Sequence, residues 1–398
     1  MFDGVPKEWR TVTLKSAAGE LFTDGDWVES KDQDPNGEVR LIQLADIGDG
    51  EFLNKSARFL TTEKARALRC TILQAGDLLI ARMADPIARC CLFAGLDQPA
   101  ATVVDVSIVR PSPDVDRAYL SYAVSSESFR TEAIGAASGT TRSRVSRSNL
   151  GGIELPLPPL DEQRRVAEVL RSVDEAISAN NSAREQAQRV LNAARAEVGG
   201  TASATRRLGD VCDVVGGYAF KSGAFTDAGI KVLRISNITE SGVYFGERCA
   251  HVSPDEVVGL DRFRLKEGDA LIALSGATTG KMCVFAEREP VYVNQRVGYV
   301  RARDGEETVQ SYVNHAISIF ADHIRQSAYG GAQPNISTKE IAEIAIPIPS
   351  VSEQRAFASA LDSAVAALAS AEALSNALHE MRALISTDLF SGRVRVPA

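Results

Sequence analysis

Two segments of this sequence occur twice at nearly the same separation, so the chain contains two copies of one long unit. The segment GDLLIARMADPIARCCLFA at 76–94 returns as GDALIALSGATTGKMCVFA at 268–286, 192 residues later. The segment IELPLPPLDEQRRVAEVL at 153–170 returns as IAIPIPSVSEQRAFASAL at 344–361, 191 residues later. Solenoid repeats recur every 20–50 residues or so. A much longer period predicts two copies of a folding unit with its own core.

Each copy divides into a globular part of about 150 residues and a helix of about 35, judged by hydrophobic periodicity. Within the globular parts, short apolar runs bounded by Gly, Asp and Pro predict strands, and helical spacing predicts helices. The predicted strands are Leu78–Ile80, Val103–Val109, Leu271–Leu274 and Val291–Val300, and the predicted helices are Tyr119–Ala133 and Val309–Gln326.

The helical parts follow a Pro-x-Pro sequence in both copies. Asp161 and Ser352 are the predicted N-caps, and glycines at 199–200 and at 392 predict the ends. Apolar residues alternate at spacings of four and three, which is a heptad seam. The seam residues are Val166, Leu170, Val173 and Ile177 in the first helix, and Phe357, Leu361, Leu368 and Leu378 in the second.

Many seam positions are alanine, and such a narrow stripe requires a close partner helix. The two helices are the natural partners for each other, as an antiparallel coiled coil. The alternative is that each helix packs only on its own globular part. Arg382 interrupts the second seam, which predicts that the last third of that helix faces another protein. The predicted fold class is α+β, with two repeated mixed α/β domains joined by two long helices.

The overall charge argues against a chain that binds DNA alone. The net charge is −8, whereas a protein that neutralises phosphates usually has a basic footprint. A partner subunit is expected to supply part of any DNA contact. The opening residues contain no apolar signal core, and no uninterrupted apolar run approaches the roughly 18 residues of a membrane span. These features predict a cytoplasmic protein without membrane contact.

No segment carries a complete catalytic or cofactor motif. LIALSGATTGK at 271–281 is similar to a phosphate-binding loop, but only three residues separate Gly276 from Gly280 where four are needed. Met282 also replaces the Ser or Thr that would hold magnesium. The six cysteines form no CxxC pair, which predicts no zinc site. The sequence therefore favours a binding protein with no catalytic residue, bound metal or cofactor.

Two loops at equivalent positions carry the best candidates for nucleic-acid contacts. SGTTRSRVSRSN at 138–149 is basic, whereas GGAQPNISTK at 330–339 is rich in amides. Arg suits guanine edges and phosphates, and Gln and Asn suit adenine edges. The alternative is two solvated loops that diverged freely. With residues beside the repeated Gly-Asp strand, the candidates are Arg82, Arg89, Arg142, Arg144, Arg147, Lys281, Gln295, Arg296, Gln333, Asn335 and Lys339.

The sequence resembles the specificity subunits of type I restriction-modification systems. ELPLPPLDEQRRVAEVL followed by a long helix, and AIPIPSVSEQRAFASAL followed by a second, are similar to that family's conserved regions. AGDLLIAR, EGDALIAL and the opening PKEWRTVTL are similar to its target-recognition domains. The resemblance covers essentially the whole chain. It implies target-recognition domains at 1–155 and 204–346, and conserved spacer helices at 156–203 and 347–398.

The resemblance also implies a function in phage defence and DNA methylation. Each domain would read one half of a bipartite sequence in double-stranded DNA, with the spacer set by the helices. The implied partners are two methyltransferase subunits and, where present, restriction subunits. S-adenosylmethionine and ATP would bind only to those partners, so the chain itself would not be an enzyme.

Three other hypotheses remain open at this point. The chain could be a scaffold or adaptor with duplicated domains that does not read DNA. It could be an autonomous enzyme, such as a nuclease, with an unrecognised site. It could also be a specificity subunit that serves a different methylation or defence complex.

Overall fold

The computed structural model describes residues 5–19, 21–83, 86–139, 143–200, 205–239, 242–246, 249–303, 307–328 and 335–396. The chain divides into two compact units. Unit 1 comprises Met1–Asn181 and Ala373–Ala398, and unit 2 comprises Ser182–Glu372. Each unit therefore holds one globular part and segments of both long helices.

The first copy runs from β1 to α6. Its strands are β1 (Arg10–Thr13), β2 (Leu21–Asp24), β3 (Val39–Ile42), β4 (Phe59–Leu60), β5 (Leu78–Ala81), β6 (Cys90–Leu92), β7 (Ala100–Thr102), β8 (Val106–Arg110), β9 (Ala137–Ser138), β10 (Arg144–Val145) and β11 (Glu154–Leu157). Its helices are α1 (Leu14–Ala17), α2 (Thr62–Ala67), α3 (Arg117–Val124), α4 (Glu127–Gly135), α5 (Arg147–Gly152) and α6 (Leu160–Gly200).

The second copy runs from β12 to α10. Its strands are β12 (Thr205–Arg207), β13 (Cys212–Gly216), β14 (Phe225–Thr226), β15 (Ile230–Leu233), β16 (Ile238–Thr239), β17 (Gly242–Val243), β18 (Ala250–Val252), β19 (Ala270–Ala273), β20 (Met282–Val284), β21 (Val291–Val293), β22 (Val297–Ala302) and β23 (Ala345–Pro347). Its helices are α7 (Leu208–Val211), α8 (Gln310–Ala328), α9 (Thr338–Ala342) and α10 (Val351–Ser391).

The two globular parts share one sheet topology. Antiparallel sheets of order β2-β8-β5-β6 in unit 1 and β13-β22-β19-β20 in unit 2 correspond strand by strand. A second sheet in each unit contains a parallel pair, β3 with β7 and β15 with β21. The register also agrees, because Arg40 faces Ala100 and Lys231 faces Val291, each 191 residues later. The duplication inferred from the repeat is thus present in the fold.

In each unit, segments of both long helices enter the core of the globular part. In unit 1, Val166 and Leu170 of α6 and Phe390 of α10 join one cluster with Tyr119. The rings of Tyr119 and Phe390 lie 5.5 Å apart. In unit 2 the core combines Leu191 and Ala194 of α6 with the seam residues Phe357, Leu361 and Leu368 of α10. Val173 and Leu378 are buried as well, and Ile177 is half-buried.

Within unit 1 the two helix segments run antiparallel. Glu162, near the start of α6, pairs with Arg395 just beyond the end of α10, and Asp174 farther along α6 pairs with Arg382 earlier in α10. The expectation that Arg382 faces another protein is therefore wrong. Its guanidinium binds the Asp174 carboxylate, which also accepts a hydrogen bond of 2.9 Å from the Tyr122 hydroxyl. A charged residue on the seam is tolerated here because its charge is paired.

Several predicted boundaries differ from the structure. The helix expected over Tyr119–Ala133 is two helices, α3 and α4, because Ser126 accepts a hydrogen bond from the Phe129 amide and begins a new helix. The strand expected over Val291–Val300 is divided between two sheets, as β21 and β22.

The predicted N-caps are also displaced. α6 begins at Leu160 and places Asp161 in its first turn. α10 begins at Val351, so the cap is Ser350 rather than Ser352. Ser350 and Glu353 form a reciprocal capping box, with the Ser350 amide donating to Glu353 over 2.9 Å.

Helix α10 is long and apolar enough to cross a membrane by length and composition. An 18-residue window has a mean hydropathy of 1.3, although the sequence predicts no uninterrupted apolar run of that length. Core helices of water-soluble proteins pass the same test. Leu361 lies in the unit 2 core and Leu389 in the unit 1 core, although 17% of the apolar window is buried. One such helix among the described residues is weak evidence for membrane contact.

The repeated Gly-Asp dipeptide forms a turn with a buried ion pair. Gly76 and Gly268 have φ of 95° and 93°, a left-handed conformation that favours glycine. The aspartates that follow them are each 1% exposed. Asp77 accepts two hydrogen bonds from Arg110, at 2.8 and 2.9 Å, and Asp269 accepts two from Arg301, at 2.7 and 2.6 Å. The pair holds the turn to the neighbouring strand in both units.

We expect Asp269→Ala to destabilise unit 2 by about 3 kcal/mol, because it leaves the Arg301 charge without its buried partner. Asp213→Ala is a matched control, since the Asp213–Arg303 pair of the same unit is about half exposed and exposed pairs contribute about 1 kcal/mol or less. Urea unfolding followed by circular dichroism measures both. Equal effects of the two substitutions would contradict a special role for the buried pair.

Candidate nucleic-acid interface

The described parts of the two candidate loops pair with the segment that follows the repeated Gly-Asp strand in both units. In unit 1 the segment after β5 pairs with β10, so that Met83 faces Arg144. In unit 2 the segment after β19 pairs with the later loop in the same way, and Ser275 faces Asn335. Backbone hydrogen bonds of 2.9 Å from Val145 to Arg82 and from Ile336 to Leu274 confirm that these places are equivalent.

Two of the predicted DNA contacts in unit 1 point into the protein. Arg82 is 3% exposed, pairs with Asp24 at 3.0 Å, and donates to the carbonyl oxygens of Val145 and Val104. Burial lowers the pKa of its guanidinium, and the Asp24 carboxylate opposes that effect. Arg89 donates to the carbonyl oxygens at residues 47 and 44, at 2.8 and 2.9 Å. Both side chains hold loops together in this structure.

Arg144 and Arg147 are accessible but lie beside carboxylates. The Arg144 guanidinium is 42% exposed, and its Nη2 is 2.9 Å from Oδ1 of Asp105. Arg147 is 49% exposed, with Nη1 4.0 Å from Oδ2 of Asp24. The acidic partners orient these arginines and leave further donors available to a ligand. Arg142 lies outside the described residues.

The candidates of unit 2 are exposed to a greater degree. Gln295 and Arg296 occupy the turn between β21 and β22, and Asn335 and Lys339 lie on the adjacent loop and helix α9. All four are exposed, whereas Lys281 is half-buried. No carboxylate lies within ion-pair distance of Arg296 among the residues described. Gln333 lies outside them.

Two glycines bring a neighbouring loop close to this edge. A Cβ at Gly25 would lie 2.3 Å from the Val103 carbonyl oxygen, and one at Gly217 would lie 2.1 Å from that of Asn294. Only glycine permits such backbone approach. The chain then presents an exposed aromatic residue in each unit, Trp27 at 71% and Tyr218 at 37%.

Trp27 stands at the rim of a cleft of about 570 Å³ in unit 1. Gln43 and Asp105 line the cleft, and the Gln43 amide nitrogen is buried without a hydrogen-bond partner among the described residues. Sequence reasoning overlooked this cleft. The available signal was a glycine followed within two residues by an aromatic residue in both copies.

A comparison with protein families shows to which family this duplicated fold belongs. The family described as the type I restriction modification DNA specificity domain matches residues 6–189 and again 202–380. The chain belongs to this family. The two matched segments reproduce the duplication, and each contains one globular part and most of the long helix that follows it.

Curated relatives carry names from the same family. The chain is 26% identical over 286 residues to the type I restriction enzyme MjaVIII specificity subunit of Methanocaldococcus jannaschii, covering 65% of this chain and 66% of that protein. It is 28% identical over 169 residues to the EcoAI specificity subunit of Escherichia coli, covering 39% of this chain and 27% of that protein. The chain thus spans just under two thirds, and about a quarter, of these relatives.

Solved structures share the fold over nearly the whole chain. The S subunit of a type I restriction-modification system from M. genitalium matches with a TM-score of 0.61 at 15% identity, covering 98% of this chain and 97% of the other. A chain from a structure of type I complex assembly and conformational transition matches with a TM-score of 0.54 at 18% identity, covering 98% and 99%. Both structures share the fold of this chain, with its two mixed α/β domains.

Proposed function

We propose that this chain is the non-catalytic subunit that recognises a bipartite target in double-stranded DNA. Each unit reads one half-site, and the long helices set the spacer between them. The chain directs two methyltransferase subunits, and restriction subunits where present, to that target. S-adenosylmethionine and ATP bind to those subunits rather than to this chain, and the complex works in the cytoplasm.

One observation carries the proposal: two copies of the same frame present different chemistry at the same edge. The position of Asp105 in unit 1 corresponds to Arg296 in unit 2, because their carbonyl oxygens accept from the equivalent amides at 82 and 274. Likewise Arg144 corresponds to Asn335. A scaffold does not need two copies of one backbone with different side-chain charges at equivalent positions. Two domains that read different DNA sequences do need such differences. Family membership supports the same conclusion.

The acidic net charge is consistent with a complex in which this chain and its partner subunits both contact the DNA. With a net charge of −8, this chain attracts phosphates only through local groups such as Arg147 and Lys339, both exposed. Partner subunits would supply the remaining phosphate contacts, which account for much of the affinity of such complexes. The proposed DNA contacts with exposed or half-buried side chains are Arg144, Arg147, Lys281, Gln295, Arg296, Asn335 and Lys339. Arg142 and Gln333, which lie outside the described residues, stay in the proposal.

The test is base-resolution sequencing of adenine methylation in cells that express the methyltransferase subunit with and without this chain. We expect a split motif, two short defined halves around a fixed spacer, that disappears when the chain is deleted and returns when it is restored. Unchanged methylation, with an active methyltransferase, would favour the scaffold hypothesis. Metal-dependent DNA cleavage by the purified chain would instead favour a nuclease.

A further inference from the structure

Unit 2 presents two exposed arginines just beyond the carboxyl ends of the adjacent strands β15 and β21. These strands are parallel, with Leu233 facing Val293, and the Asn294 amide donates to the Leu233 carbonyl oxygen over 2.9 Å. Arg234 follows β15 directly, and Arg296 lies in the turn after β21. The two side chains therefore arise from the same edge of the sheet.

Arg234 is held in place before any ligand binds. Its guanidinium lies over the Phe225 ring, 4.2 Å from the ring centre. Its backbone amide donates to Oδ1 of Asn237 over 2.8 Å, and Asn237 in turn donates to the Tyr244 carbonyl oxygen over 2.9 Å. A guanidinium stacked on an aromatic face keeps the donors along its edge free. Among the described residues, neither Arg234 nor Arg296 has a carboxylate within ion-pair distance.

The two equivalent positions of unit 1 hold no arginine. Gln43 stands where unit 2 has Arg234, since both amides bond to the side chain three residues later. Asp105 stands where unit 2 has Arg296, and Asp26 and Glu29 also line the cleft there. Carboxylates repel the O6 and N7 acceptors of guanine, whereas arginine donates to both. At these two positions, arginines that can donate to guanine are therefore present in unit 2 and not in unit 1, where the nearby Arg144 is paired with Asp105.

We propose that Arg234 and Arg296 form a guanine-reading subsite in unit 2, and that the matching place in unit 1 does not read guanine. This inference rests on the proposed function and adds which base is read, and by which residues. Arg296 reaches the base from the turn, and Arg234 reaches it from the adjacent strand end with its plane fixed by Phe225.

The test compares the methylation motifs of the wild-type complex with those of Arg234→Gln, Arg296→Gln and the control Arg288→Gln. Arg288 is an 88% exposed arginine of the same unit, so its substitution matches the change in charge. We expect Arg296→Gln and Arg234→Gln to relax one guanine position of one half-site. Adenine methylation of sites that carry another base at that position should rise by about tenfold or more. The other half-site, the spacer and the motif of the control should not change.

Three results would overturn the subsite. The motif of Arg296→Gln could be unchanged, or the relaxed position could be a base other than guanine. Methylation could also fall evenly at all targets in Arg296→Gln and be restored in Arg296→Lys. That result would identify a phosphate contact, because lysine keeps the charge of arginine but loses its bidentate fork. Recovery of each variant in the purified complex separates these results from misfolding. If the wild-type chain supports no split motif at all, the proposed function itself fails.

Discussion

Replacing Gln163 or Gln354 with alanine is expected to destabilise the corresponding unit by about 3 kcal/mol, since three hydrogen bonds are lost at about 1 kcal/mol each. Both side chains are fully buried near the start of a long helix. Gln163 accepts from the Asp116 amide over 2.7 Å and donates to the carbonyl oxygens of Asp114 and Pro158 at 3.0 and 2.8 Å. The amide thus joins the helix to the globular part.

The second copy repeats the arrangement. Gln354 accepts from the Val309 amide over 2.9 Å and donates to the carbonyl oxygens of Glu307 and Pro349 at 2.8 and 2.9 Å. Glutamate in place of either glutamine keeps the acceptor but loses both donors, so Gln354→Glu should be nearly as harmful as alanine.

Gln188→Ala is the matched control on α6, because Gln188 is exposed and, among the described residues, its side chain bonds to Asn192 of the same helix. We expect it to change stability by less than about 0.5 kcal/mol. Urea unfolding of the full chain measures all four variants. Similar midpoints for Gln163→Ala and Gln188→Ala would contradict the proposed role of the buried amide.

Lengthening both helices by one heptad should lengthen the DNA spacer without changing either half-site. Seven residues inserted after Asn181 in α6 and seven after Glu372 in α10 fall at the boundaries between the units and keep the heptad phase. The added rise is about 10 Å, or roughly three base pairs at about 3.4 Å each. Methylation sequencing reads the new spacer directly.

An insertion in α6 alone is the matched comparison. Each unit buries segments of both helices in its core, with Leu170 and Phe390 in unit 1 and Leu191 and Leu361 in unit 2. Lengthening one helix therefore strains a core, and we expect lost stability and lost methylation rather than a new spacer. An active double insertion that retains the original spacer would contradict a ruler role for the helices.

Residues of the repeated motifs make contacts that hold each unit together. The buried Asp77 and Asp269 of the Gly-Asp dipeptide each bind a half-buried arginine, and Gln163 and Gln354 join helix to globular part. Such residues recur in both copies because the backbone frame needs them wherever it is built. The repeat therefore predicted the shared backbone of the two units well. It did not indicate which of the residues that differ between the units contact DNA.

The candidate contacts show the limit of reasoning from residue type. Arg82 and Arg144 are two residues of the same kind in adjoining segments, yet Arg82 is buried against Asp24 while Arg144 remains partly exposed. The partner of Arg82 is 58 positions away in the sequence, and no local pattern reveals it. Arg234 was overlooked for the same reason, because its place beside Arg296 depends on the pairing of β15 with β21.

Sequence alone was sufficient to establish the duplication, the long helices with their seams and the family resemblance. These features follow from local hydrophobic periodicity and from the similarity of the two copies. Only the folded chain revealed that each unit takes helix segments from both copies, that Arg382 pairs with Asp174, and which of the candidate arginines are exposed. Those properties depend on burial and on charges brought together across long stretches of chain. The free energy of a buried or paired charge is set by its neighbours in space rather than by its neighbours in sequence.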